Sequence, residues 1–404
     1  MKHEVQTDGL GDKILPAGAQ YTAMPTILLD NGSHTLKIGL IGESARIFPN
    51  YALRVNDSNF PLYGSYLNGL PITTEAYKTS VCKAGEIYEW KLEDLIWRDA
   101  LLQLYQNQDC KLSDQLHTLF PTCSDLDLIT TTSTDAHPAA KRQFLEYCFE
   151  TMQFASVVAQ PPQAYLTRHS LLSNATTGII LDMGYAGMSS TAFLYTNPIL
   201  YSHTLVDCGG SLLNSLFTAL LQETIDPGFL VDIRKRCLLI ESLQKCFFTA
   251  TENSQIEIAF CAEKNNYLVR STSDSLPAPS NDEGRCILDI RNTEGVVQNL
   301  LEQIATHIPN MITTCIQSLP TELQSLSKGN VFICGGLANI PPMTEITKDA
   351  LLTSALIDNV VILPNPQTAV YDGMQLYAET AEYARSRITR QLYEEYGCVG
   401  LEHN

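Results

Sequence analysis

The sequence predicts a duplicated α/β fold, with two lobes set around a cleft. Three observations predict it. An apolar strand that ends in Asp-x-Gly and resumes as a second apolar strand occurs early, as "TILLDNGSHTLKIGL", and again as "GIILDMGYAGMSSTAFLY". Gly-Gly pairs open two later helical stretches, in "DCGGSLLNSLFTALLQE" and "NVFICGGLANIPPM". Strands and helices alternate around these points, the order expected of sheets covered by helices.

Residues 1 to 25 are polar and Gly-rich and read as a mobile tail. "TILLD" and "LKIGLI" are two strands about a tight turn at Asn31-Gly32-Ser33. Residues 50 to 80 hold many turn formers and read as a small, partly irregular lobe. Over 93 to 105 the spacing is helical, with Leu95, Ile96, Leu102 and Tyr105 on one broad face. "SDLDLITTTS" reads as a strand, the Ser/Thr run 130 to 135 as edge strand and loop, and His137 as a turn residue before Pro138. Residues 139 to 152 read as a helix and "ASVVAQ" as a strand. After the second hairpin come the Gly-Gly helix of 207 to 223, a helix over "PGFLVDIRKRCLLI" and a loop at 271 to 285. "TEGVVQNLLEQIATHIPNMITTCIQSLP" is one long helix or two shorter ones. Strand, Gly-Gly turn and helix follow at 329 to 343, then strand, loop and helix at 359 to 379, and "ITRQLYEEYG" closes the pattern. Trp90 and Trp97 read as packing residues.

The chain has 404 residues, 45% of them apolar, enough for two or three lobes with sizeable cores. A net charge of −18 argues against direct binding of naked nucleic acid, which needs a basic footprint. It suits basic protein partners such as histones, or serves solubility alone. Twelve cysteines without a Cys-x-x-Cys, and an opening segment without an apolar leader, predict reduced thiols in nucleus or cytosol. The Asn-x-Ser/Thr sequons at Asn31, Asn56 and Asn174 are then chance matches. No apolar run reaches the roughly 18 residues of a membrane span. No Ser-His-Asp or Cys-His arrangement can be assigned.

The two hairpins point to phosphate chemistry. A glycine at a hairpin tip lets backbone N–H groups converge on an anion. An aspartate closing the preceding strand can hold a hydrated divalent cation. A lysine on the return strand can reach phosphate oxygens. Asp30, Gly32, Ser33 and Lys37 fit one such clamp, and Asp182 and Gly184 fit a second. Gly209-Gly210 and Gly335-Gly336 would let a base or ribose approach the backbone. A lone Asp-x-Gly is ordinarily only a turn; four glycine elements in this order are the signal.

These motifs together resemble the actin family, over about Thr26 to Gly397. "LLDNGSHTLKIG" and "TTGIILDMGYAG" are similar to its two phosphate loops. "LVDCGGSLLNSLFTALL" and "NVFICGGLANIPPM" are similar to its adenosine segments, and "ITRQLYEEYG" to its C-terminal motif. "IGESARIFPNYALRV", "DMGYAG", "CIQSLPTELQ" and "VILPNPQTAVYDG" look most like the actin-related protein 6 branch, of which this would be a divergent member. The resemblance implies the two-lobed fold shared by actin, chaperone ATPases and sugar kinases, with four subdomains and a central nucleotide cleft. The expected division is a tail at 1–25; subdomain 1 at 26–51, 80–170 and 368–404; subdomain 2 at 52–79; subdomain 3 at 171–206 and 288–367; and subdomain 4 at 207–287.

It also implies ATP or ADP with magnesium. Nucleotide contacts would fall at Asp30, Asn31, Gly32, Ser33 and Lys37; at Asp182, Gly184 and Tyr185; at Gly209, Gly210 and Arg234; and at Gly335, Gly336 and Leu337, with Asp30 and Asp182 on the metal side. The catalytic positions depart from the family. Tyr185 replaces a loop aspartate that orders the metal's waters, and Ser189 a histidine that assists hydrolysis. The water-positioning glutamine falls at Gln163 or Gln160, and the ribose glutamate near Lys235. Slow or absent turnover is expected. The 52–79 lobe is shorter than actin's, so no filament is expected. The branch implies a non-catalytic nuclear scaffold, also cytoplasmic at times. It would sit in a Swr (SRCAP) type remodeller beside a Swi/Snf-family motor, a zinc-HIT subunit and the nucleosome's histones. The competing expectation is a nucleotide-hydrolysing protein of cytoskeletal or dynactin type.

Overall fold

A computed structural model describes residues 25–55, 60–83, 86–106, 123–224, 235–249, 255–261, 266–271, 286–289, 294–354 and 356–400. Two sheets of like topology form its frame. The first contains β1 (Thr26–Asn31), β2 (Thr35–Leu40), β3 (Arg46–Pro49), β4 (Asp127–Thr131) and β5 (Ser156–Gln160), in the order β5-β4-β1-β2-β3, with Ile388–Thr389 added beside β5. The second contains β6 (Thr177–Met183), β7 (Met188–Leu194), β8 (Thr204–Val206), β9 (Val331–Cys334) and β10 (Val360–Ile362). There β10-β9-β6-β7 run in order, and β8 pairs with β7.

In each sheet a hairpin lies antiparallel, β1 to β2 and β6 to β7. Its first strand then pairs in parallel with a strand from later in the chain, β4 or β9, and that strand with β5 or β10. The parallel strands are buried on both faces, which is why "ILL" and "VFIC" read as continuous apolar runs and even Asp127 and Thr130 are buried.

Three apolar clusters fix the arrangement. One lies between the first sheet and α1 (Trp90–Gln106), with Trp97 against Phe144 and Tyr147. A second lies between the second sheet and the helices Glu294–Ala305, Ile308–Gln317 and Pro341–Thr353. The third joins the sheets. Leu28, Ile129 and Val158 meet Ile180, Phe193 and Phe332 through Tyr165, Tyr371 and Met374. Here the helices Pro162–Leu166 and Ala369–Ala378 touch at Gly373, where a methyl group would overlap the carbonyl of Tyr165.

Several expectations change. The buried face of α1 is Leu92, Glu93, Ile96, Trp97, Ala100, Leu101 and Leu104, whereas Leu95 and Leu102 are exposed. Both faces carry apolar residues, and the sheet selects the one that presents tryptophan. Residues 50 to 80 are more regular than expected, since Tyr51–Val55 pairs with Leu62–Tyr63 and Ala76–Ser80 in a three-stranded sheet. The strand β4 is central rather than at an edge, because β1 and β5 both pair with it in parallel. The stretch from 293 to 320 divides into two helices, Glu294–Ala305 and Ile308–Gln317, with Pro309 in the first turn of the second, where a proline is tolerated. The described part of the helix expected over 227 to 240 begins only at Cys237, and most of the 271 to 285 loop and of the 1 to 25 tail lies outside the described residues. No helix among the described residues is long and apolar enough to cross a membrane.

Candidate functional site

In the first hairpin the β1–β2 register sets Lys37 directly across from Asp30. Lys37 Nζ lies 3.0 Å from Asp30 Oδ2, and both side chains are nearly buried. Thr131, at the end of β4, donates its hydroxyl to Asp30 Oδ1 at 3.3 Å and accepts the N–H of Asn31 at 2.8 Å.

The Asn31 side chain turns away from the cleft. It donates to Glu93 Oε1 at 2.6 Å, and its carbonyl accepts from Asn50 at 3.0 Å. Asn50 also donates to the Gly32 carbonyl at 2.8 Å, and Trp97 donates to Glu93 Oε1 at 3.0 Å. Burial pushes the Glu93 carboxyl up to about 7, against the pull of these donors. Asn31 therefore supports the loop from beneath through its side chain, while the residue still lines the cleft.

In the second hairpin the residue across from Asp182 is Ser189, which offers no charge. Burial, and next the negative charge of Asp30, push Asp182 up to about 6, with Lys37 opposing. The two aspartates thus feel each other across one cleft. Backbone closes the turn: Gly184 N–H donates to Gly187 at 3.0 Å, Gly210 N–H to Gly184 at 3.1 Å and Ser211 N–H to Tyr185 at 2.8 Å. Gly335, at φ 95°, packs so closely that a Cβ would overlap Asp182 Oδ1 and the Met183 carbonyl.

The cleft has a volume of about 710 Å³. Of the candidate residues, Asp30 to Ser33, Lys37, Asp182, Gly184, Tyr185, Gly210 and Gly335 to Leu337 line it. Gly209 does not line it; it sits behind the second loop, where a Cβ would overlap the carbonyls of Gly184 and Tyr185. Gly336 faces open space, with nothing within 4 Å of an added Cβ. Arg234 lies outside the described residues.

The open choice of glutamine is resolved by direction. Gln163 lines the cleft and accepts from Thr134 at 2.9 Å, whereas Gln160 donates to the Tyr377 hydroxyl at 3.0 Å. Lys235 is absent from the lining; Glu241, Gln244 and Lys245 of α2 (Cys237–Thr249) are there instead. Their spacing of three and four residues on a helix was the signal available in the sequence. The run from Thr131 to Asp135 also lines the cleft, as does His203, whose Nδ1 lies 2.8 Å from Thr191 Oγ1 and whose Nε2 lies 3.6 Å from Asp135.

Sequence reasoning missed His34 as well. Its ring stacks on Tyr185 at 4.2 Å between centroids and, by its other face, on Tyr51 at 5.1 Å. Lys78 Nζ lies 2.8 Å from His34 Nδ1 and 2.9 Å from Glu241 Oε1. An ammonium group can only donate, so Nδ1 accepts and the imidazole is neutral. Burial, then Lys78 and Lys37, hold His34 down to about 3.

Chemically, Lys37 supplies one cation facing the cleft and the aspartates two carboxylates. Among the described residues no group of three or more His, Cys, Asp or Glu side chains could hold a metal unaided. Magnesium needs no such cage: one or two carboxylates with waters and phosphate oxygens suffice.

The family model for actin matches residues 21–276. Relatives align along nearly the whole chain. "Actin-like protein ARP6" of Debaryomyces hansenii is 22% identical over 92% of this chain and 95% of its own. "Actin-related protein 6" of Drosophila melanogaster is 20% identical over 94% and 99%, and that of Neurospora crassa 26% over 93% and 92%. Actin-fold proteins generally bind a nucleotide with magnesium. The residues here fit that group: Asp182 lacks a cation across the hairpin, and Gly336 opens onto space that a side chain would fill. The twin sheets, the facing aspartates and the family match agree: the chain belongs to the actin family.

Proposed function

We propose that this protein is a non-catalytic actin-related scaffold subunit of a nuclear chromatin remodeller of the Swr (SRCAP) type, which exchanges histone variants. One observation carries the non-catalytic part. The parts that would hold a nucleotide are kept, but Tyr185 and Ser189 stand where the family carries hydrolytic residues. Phosphoryl transfer depends on an oriented water and on neutralised developing charge, and a neutral phenol and a primary alcohol are poor substitutes there for a carboxylate and an imidazole. The full-length likeness to proteins named actin-related protein 6 supports the choice of complex. The net charge of −18 suits neighbours such as histones.

In this role Lys37, Asp30 and Asp182 hold nucleotide phosphates and a hydrated magnesium ion, and the nucleotide braces the two lobes. Bound magnesium would supply charge neutralisation. Partner surfaces engage the Swi/Snf-family motor and a zinc-HIT subunit, and through them the nucleosome.

Affinity purification of the native protein from nuclear extract, followed by mass spectrometry, tests this. Recovery of a Swi/Snf-type motor with a zinc-HIT protein is expected; recovery of cytoskeletal proteins alone would overturn it. One observation favours the alternative, an active ATPase: Gln163 does face the cleft. That reading requires magnesium-dependent phosphate release from the purified chain.

A further inference from the structure

We infer that the His34–Tyr185 stack fills the gap between the two loop tips that a terminal phosphate would bridge, so that the cleft takes a nucleoside diphosphate in preference to a triphosphate. The inference rests on the nucleotide reading above and deepens it.

The geometry is that of a plug. His34 projects from the tip of the first loop and Tyr185 from the tip of the second, and their rings lie 4.2 Å apart between centroids and 14° from parallel. Carbon atoms in contact sit roughly 3.5–4.0 Å apart, so rings at this spacing leave no layer for a phosphoryl group between them. Tyr185 borders the inner cleft and also an outer cavity of about 630 Å³. Tyr185 therefore lies where the two cavities meet, and His34 lines the first of them.

The plug is held in place. Tyr51 covers the far face of His34, and Asn214 donates to the Tyr185 hydroxyl at 3.3 Å. Lys78 ties His34 to Glu241 across the cleft, and Tyr51 donates to Glu241 Oε2 at 3.3 Å. Above it Arg236 pairs with Glu75 at 3.1 Å, and Cys237 and Leu238 pack on the small sheet of Tyr51, Leu53 and Ala76. Parting the rings means parting these contacts between the lobes.

Charge acts in the same direction. A third phosphate adds negative charge beside Glu241, while Lys78, the cation against the stack, already serves Glu241 and His34. Lys37, Asp30 and Asp182 line the cleft outside the pair of stacked rings, so a shorter phosphate chain keeps its partners.

Isothermal titration of the full chain with magnesium-ADP and with magnesium-ATP, for wild type and for the double variant H34G/Y185G, tests this. The wild type should bind ADP at least tenfold more tightly than ATP. The variant should lose that preference by at least tenfold. Equal or tighter ATP binding by the wild type overturns the inference and leaves the nucleotide reading standing. Binding of neither nucleotide overturns both. A preference that survives in the folded variant removes the stack as its cause. The wild-type ratio needs no variant, so misfolding of H34G/Y185G does not rescue the inference.

Discussion

Beneath the first loop the supports are side chains: Asn31 and Trp97 converge on the buried Glu93, and Asn50 donates to Asn31 and Gly32. Beneath the second they are backbone: Gly209, Gly210 and Gly335 let three chain segments touch. The hairpins above differ too, with Lys37 across from Asp30 in one and Ser189 across from Asp182 in the other. A single topology has thus been stabilised in two ways. The first relies on paired charge and polar networks, which are costly when one partner is lost. The second relies on the absence of side chains, and fails when one is added.

The largest expected effect falls on the charged side. Lys37→Ala leaves Asp30 nearly buried without its cation and facing Asp182. Removing one member of a buried pair costs about 3–5 kcal/mol, and urea denaturation near neutral pH should show a loss in that range. Lys37→Arg should recover most of it. A loss within the scatter of surface substitutions would mean that water in the cleft already solvates Asp30, and that the hairpins are electrostatically alike.

The matching test of the glycine side is Gly335→Ala. At φ 95° and ψ 169° the backbone is in a region almost closed to other residues, and the new methyl would overlap the Met183 carbonyl and Asp182. Strain of this kind costs about 1–3 kcal/mol before the overlap is relieved, so a loss of about 3 kcal/mol is expected in the same denaturation assay. Little or no change would show that the second loop can shift, and that its backbone supports are slack.

The two halves were also unequally legible in the sequence. Both hairpins are visible, because an apolar run broken by Asp-x-Gly is a local pattern. Gly335 and Gly210 were visible for the same reason, though Gly209 behind the loop was not separable from its neighbour. Glu93 was overlooked although a signal existed: it shares a helical stripe with Ile96, Trp97, Ala100 and Leu104, where a carboxylate is out of place. Spacing alone cannot tell which apolar face of α1 meets a sheet, so the stripe through Leu95 and Leu102 reads as well as the buried one. The His34–Tyr185 stack had no local signal. It joins the tips of two hairpins that lie far apart in the sequence.

Glu93 gives the finest test, because it separates a titrating support from a support made of backbone. Its carboxyl is raised from an ordinary 4.5 to about 7, so between those values the folded chain holds a proton that the unfolded chain releases. Stability is therefore greatest below about pH 4.5 as far as this group is concerned. It falls as pH rises to about 7 and stays level beyond, by about 3 kcal/mol. Asp182, raised to about 6, adds a slope of the same sign that stays when Glu93 is changed. Glu93→Gln keeps an acceptor for Asn31 and Trp97 but cannot titrate. Denaturation curves at pH 5 and pH 8 should show a smaller stability difference for the variant than for the wild type, with the variant the more stable of the two at pH 8. If the two proteins keep the same pH dependence, Glu93 is solvated or already protonated throughout, and the polar support of the first loop is as insensitive to pH as the glycines of the second.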